Sequence, residues 1–185
     1  REPVDGGVRV AFAETLPLSS YITAVAAGPY RRVDGVWDGP DGPVPLGVLC
    51  RASLAEYLVD SGDAEEILGI TRRGLDFFGE AFGRPYPWGK YDQIFVPEYN
   101  LGAMENPGLV TFTERYVFRG AATVAQYEGR ANTILHEMAH MWFGDLATMR
   151  WWDDLWLKES FAACSGAYAA VAAGGFPDAW VTFAS

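Results

Sequence analysis

The chain contains two histidines, and both stand in one pentapeptide, His136-Glu137-Met138-Ala139-His140, followed after eighteen residues by Glu159. On a helix, positions i and i+4 share a face one turn apart, so this segment must be helical for both imidazoles to reach one ion at about 2.0–2.1 Å. Glu137 then points into the same cleft. A carboxylate from a second helix, Glu159, completes three protein ligands and leaves the fourth tetrahedral position open, which is the plan of a catalytic rather than a structural zinc. The segment is otherwise apolar (Ile134, Leu135, Met141, Trp142, Phe143), and buried imidazoles without partners cost free energy. Asp153 and Asp154 compete with Glu159 for the third position, but at the start of a predicted helix they suit capping and dipole stabilisation better. Glu159 stands among Leu155, Trp156, Leu157, Phe161 and Ala162, where a carboxylate calls for a cation.

The chemistry follows from the ligand set. Two neutral imidazoles and one carboxylate leave a bound zinc net positive, able to polarise a carbonyl and to lower the pKa of water toward ~7. Glu137 is placed to take a proton from that water and deliver it to a departing amine. The reaction class is metal-assisted amide hydrolysis. A serine or cysteine nucleophile has no histidine left to activate it.

With 185 residues, half of them hydrophobic, the chain can bury a core. Its net charge of −10 and scattered basic residues argue against a nucleic-acid surface. No stretch approaches the roughly 20 apolar residues of a membrane span, so no membrane segment is expected here. The chain opens at Arg1 in a strand-rich region and stops at Ser185 within a predicted helix, and so reads as an excerpt. Cys50 and Cys164 lie far apart in apolar surroundings with no Cys-x-x-Cys, which predicts buried free thiols in a reducing, cytoplasmic compartment.

Short β-branched runs (Val8–Phe12, Tyr21–Val25) alternate with turn clusters up to residue 50, the densest being Asp38-Gly39-Pro40-Asp41-Gly42-Pro43. Helical spacing begins after Ser61, with Ser61 or Asp63 as N-cap, and continues to Phe82. Tyr91–Val96 and Gly108–Phe112 read as strands. A long helix is predicted from Thr123 through the histidines to Trp142 or Phe143, closed by Gly144, and a second from Asp153 to Ala173, ended by Gly174-Gly175.

A second motif, Gly102-Ala103-Met104-Glu105-Asn106, precedes the histidines, and Trp142-Phe143-Gly144-Asp145 and Trp151-Trp152-Asp153-Asp154-Leu155-Trp156-Leu157 lie between the second histidine and Glu159. On these motifs together the chain resembles the gluzincin aminopeptidases of the aminopeptidase N family, from about Phe12 to Tyr168. The resemblance implies zinc ligands at His136, His140 and Glu159, and a base at Glu137. It places Glu105 on the free α-ammonium of a peptide substrate, with Gly102, Ala103 and Met104 along the substrate. It also implies an α+β fold: residues 1–43 as the end of an N-terminal β-sandwich domain, and 44–185 as the first part of a thermolysin-like catalytic domain. The family's transition-state tyrosine would then lie beyond Ser185, and a further amine-binding residue before Arg1. Lys158-Glu159-Ser160 departs from the family's usual Asn-Glu-Gly, and Ala163 stands where thermolysin-like relatives have an aspartate, so the partners that orient the histidines are unassigned. An epoxide-hydrolysing relative would use the same metal site. A non-catalytic scaffold would be expected to have lost His136, Glu137 or Glu105.

Overall fold

An exposed two-stranded ribbon, β1 (Glu2–Val4) with β2 (Gly7–Arg9), opens the structure, a computed structural model that describes residues 2–184. The strand expected to reach Phe12 stops at Arg9, and the one expected at Tyr21–Val25 is a single 3-10 turn, Ser20–Ile22. Only Ile22 in that segment is buried, so it has no apolar face with which to join a sheet.

The next two strands, β3 (Tyr30–Gly39) and β4 (Gly42–Arg51), form a long hairpin that turns within the Asp-Gly-Pro cluster. Gly42 has a φ of +119°, open to glycine and strained for other residues. Position 43 lies inside this hairpin, and both strands belong to the main sheet, which therefore draws in residues from Tyr30 onward.

After the short α1 (Ala55–Leu58) comes α2 (Asp63–Ala81), which buries Ile67, Leu68, Ile70, Leu75 and Phe78 on one face. Its N-cap is Gly62, at a φ of +89°, in place of Ser61 or Asp63; the Ser61 hydroxyl accepts the Asp63 N–H at 3.2 Å instead. Asp63, Glu65 and Glu66 then load the first turn with the charge a helix N-terminus favours.

Strands β5 (Tyr91–Val96), β6 (Ala103–Met104) and β7 (Leu109–Thr113) complete a mixed sheet of order β3-β4-β5-β7-β6. The inner strands β4, β5 and β7 are mutually parallel, and β5 is buried along nearly its whole length, as a strand covered on both faces must be. β6 lies antiparallel to β7 at the sheet edge, so one side of its backbone is free of strand pairing.

Helices α3 (Val124–His140), α4 (Glu159–Ala169) and α5 (Ala179–Ala184) make the fold α+β. α3 packs tightly on α2 at Gly74, where a Cβ would come within 2.7 Å of the Leu135 side chain. The buried Arg130 pins the same pair of helices through Asp63 and Glu66, both at 2.7 Å, under the rings of Phe118 and Tyr127. The two cysteines are free; Cys50 is buried as expected, but Cys164 is exposed on α4. No helix among the described residues is long and apolar enough to cross a membrane.

Candidate metal centre and peptide cleft

α3 begins at a capping box. The Thr123 hydroxyl accepts the Gln126 N–H at 3.3 Å, and the Gln126 side chain accepts the Thr123 N–H at 2.8 Å. The helix ends at His140, earlier than the expected Trp142 or Phe143, because the chain folds back on the ring: His140 Nδ1 lies 3.0 Å from the Phe143 carbonyl oxygen. That oxygen can only accept, so Nδ1 carries the proton and Nε2 keeps the lone pair a metal requires. Gly144 follows at a φ of +133°, and a Cβ there would lie 3.1 Å from His140 Nδ1.

Downstream, the single helix expected over Asp153–Ala173 is three pieces. A 3-10 segment, Trp152–Leu157, has non-helical geometry at Asp154, α4 starts at Glu159, and its end widens into a π-turn over Ala170–Gly174. Leu155 and Trp156, expected to pack around Glu159, are exposed together with Trp151 and Trp152. Glu159 is thus not inside an apolar helix. It is the first residue of α4, half-exposed, with its carboxylate turned to the histidines.

The geometry fits a metal. His136 Nε2 and His140 Nε2 are 3.2 Å apart, and Glu159 Oε2 lies 3.9 Å from the first and 3.7 Å from the second. All three donor atoms fall within 4.8 Å of one another, a span that one ion can bridge. Burial, reinforced by His140, holds His136 down at about 4, so its ring is neutral and able to ligate at ordinary pH. The close approach of α4 to α3 depends on Gly166, where a Cβ would stand 3.0 Å from the His136 backbone nitrogen and 3.1 Å from its Cα. Backbone atoms cannot rotate aside, so Gly166→Ala should push α4 and Glu159 outward. We expect it to weaken metal binding on the order of tenfold, as displaced supports of metal ligands do; unchanged affinity in a competitive chelator titration would show that α4 tolerates the shift.

Glu137 is buried beside the pair, and burial, reinforced by Glu105 and Glu159, pushes its carboxyl well above the usual carboxylate range. A carboxylate so destabilised is a better proton acceptor near neutral pH. Glu105, on the loop after β6, is also buried and belongs to a second convergent set with Glu137 and His140. Burial opposes its ionisation, but the hydrogen bond and positive charge of Lys158 keep its carboxyl below the usual range. Gly102, Ala103 and Met104 line the same hollow of about 510 Å³.

Three neighbours were not singled out as site residues from the sequence. Lys158 ion-pairs with Glu105, donates to the Tyr21 hydroxyl, and lies 4.4 Å from the centre of the Tyr21 ring. The departure from Asn-Glu-Gly drew attention to position 158, but nothing local could tie it to Tyr21, 137 residues away. Asp145 is buried with neither oxygen hydrogen-bonded among the described residues. Burial, then the charge of Glu105, raises it to about 8, making it mainly the uncharged acid at neutral pH. The Ser20–Ile22 turn is fixed against the site loop by Asn106, whose Nδ2 donates to the Ile22 carbonyl at 2.9 Å.

Residues 66–180 match the Peptidase family M1 domain. The chain is 54% identical to the aminopeptidase N of Streptomyces lividans over 176 residues, covering 94% of this chain and 20% of that protein. It is 38% identical to the aminopeptidase N of Canis lupus familiaris over 81% of this chain and 15% of that protein, and 36% identical to the human aminopeptidase N over 87% and 16%. The chain therefore spans about a fifth or less of the length of these curated relatives.

Proposed function

The chain belongs to the peptidase M1 family, and on that premise we propose that it carries the catalytic centre of a zinc aminopeptidase acting on peptides with a free N-terminus. The observation that carries this reading is the convergence of the His136, His140 and Glu159 donor atoms in one cleft with two buried carboxylates, Glu137 and Glu105. The fold reading that goes with it is a thermolysin-like catalytic domain preceded by the end of a β-sandwich.

His136, His140 and Glu159 would hold the zinc. When bound, zinc supplies Lewis acidity toward the scissile carbonyl and a water of lowered pKa. Glu137 takes the proton of the attacking water and returns it to the departing amine, so each half of the reaction leaves the carboxyl ready for the other. Glu105 accepts the substrate's α-ammonium. Lys158, paired with Glu105 and set over the Tyr21 ring, stands at that end of the cleft, and an anchor there for a free amine supports removal of N-terminal residues rather than internal cleavage. Gly102 and Ala103, at and beside the exposed sheet edge, offer backbone groups to the substrate.

Metal removal tests the reading. The purified protein should hold close to one zinc, lose hydrolysis of a leucyl reporter amide on stripping with a chelator, and regain it on adding zinc. Full turnover after stripping, with zinc verified absent by elemental analysis, would contradict the assignment.

A further inference from the structure

A second hollow, again about 510 Å³, continues from the catalytic one and shares Leu101, Gly102 and Tyr116 with it. On one side it is bounded by the chain leading into β6, on the other by the first turns of α3 at Gln126 and Gly129. Tyr116 joins the two walls, its hydroxyl 2.9 Å from Thr133 Oγ1, and Gly102 is tied to the end of β7 by the Thr113 N–H at 2.9 Å. Arg115 projects from the turn that follows.

Arg115 is the charged residue of this lining, and no carboxylate accompanies it there. Its sequence neighbour Glu114 is already engaged by Arg51 at 2.8 Å and by Arg119 at 3.4 Å. In a chain of net charge −10, a guanidinium in a hollow without acidic lining is a site for a carboxylate that the chain does not itself provide.

The polarity of the cleft says which carboxylate. With the α-ammonium at Glu105, an extended peptide lying along β6 runs antiparallel to it, so its later residues pass Gly102 and Leu101 and enter the second hollow. From Glu105 back to Leu101 the chain covers at most about 13 Å. Along α3, the rise from His140 to Gly129 is about 16 Å. Four extended residues span about 13 Å, and the Arg115 side chain covers the remainder.

We propose that the second hollow receives the downstream end of a short peptide, about four residues long, and that Arg115 binds the carboxylate at that end. The proposal rests on the aminopeptidase reading, because the direction of the peptide follows from Glu105. The same guanidinium would accept either a C-terminal carboxylate or an acidic side chain at the fourth position, so the test separates the two sources.

Hydrolysis of alanine oligomers of two to six residues would be compared as free acids and C-terminal amides, with a tetrapeptide amide ending in glutamate as a third arm and leucyl reporter turnover as the check on the underlying reading. In the wild-type protein the acid should show a KM about tenfold below that of the amide, with the advantage greatest near four residues. Arg115→Gln should bring the ratio near one, and Arg115→Lys should restore part of it. A low KM for the glutamate-ended amide that Arg115→Gln abolishes would identify the side chain as the carboxylate bound. Equal KM values for acid and amide at every length, or an advantage that survives Arg115→Gln, would overturn the proposal while reporter turnover leaves the aminopeptidase reading standing. Absence of reporter turnover in the wild-type protein would remove both.

Discussion

Glu137→Gln is expected to leave zinc bound and to lower kcat by roughly 10²–10⁴-fold, the range a positioned general acid–base contributes. The side chain is buried on α3 one residue after His136, so an isosteric amide keeps the helix face and the ligand spacing. What the amide cannot do is accept the proton of the attacking water. KM should change little, because the amide keeps the shape of the side chain and Glu105 keeps its charge for the substrate amine. The combination to look for is normal zinc content, near-normal KM and collapsed kcat. Near wild-type kcat would mean that another group is the base.

The second large effect concerns Glu105. Replacing it by glutamine removes the charge proposed to receive the α-ammonium and leaves the buried Lys158 with the more distant Glu159 carboxylate, at 3.9 Å. Both changes act in the same direction: an attraction is lost, and a less well compensated ammonium now faces the incoming one. Losing a hydrogen bond between charged groups costs about 2–3 kcal/mol, or roughly 30- to 150-fold in kcat/KM at about 1.4 kcal/mol per tenfold. The loss should fall mainly on KM and be confined to free-amine substrates. An equal loss on substrates without a free amine would assign Glu105 a structural role through Lys158 and the Tyr21 turn.

The helix that brings His136 and His140 to one face was legible in the sequence, and the reason is local, whereas Glu105 was singled out only through the family resemblance of its motif. The i, i+4 spacing puts both histidines on one helix face whatever the tertiary structure, and the capping box at Thr123 and Gln126 fixes where that helix starts. Tyr91–Val96 was equally readable, as a strand that fills the middle of the sheet. Less visible was anything set by distant packing. The Ser20–Ile22 turn has β-branched neighbours typical of a strand, yet the Asn106 side chain holds it where no strand partner exists. The run from Trp152 to Leu157 has helical composition, but the chain must bend at Lys158 for Glu159 to face the histidines, and regular α-helical geometry gives way there. Cys164 looked like a core residue because its neighbours are apolar. α4 is apolar on nearly every side, so composition could not say which side meets α3 and which meets solvent. The pairing of Lys158 with Glu105 has no sequence signature, since it joins a loop after β6 to the residue preceding α4.

The most direct test of the central claim compares hydrolysis of a leucyl reporter amide with that of its N-acetylated twin, with and without a zinc chelator, in the wild-type protein and Glu105→Gln. A zinc centre that recognises a free amine through Glu105 predicts cleavage of the free-amine substrate alone, abolished by the chelator and weakened by roughly 30- to 150-fold in the variant. Equal cleavage of both substrates, or cleavage indifferent to the chelator, would contradict it.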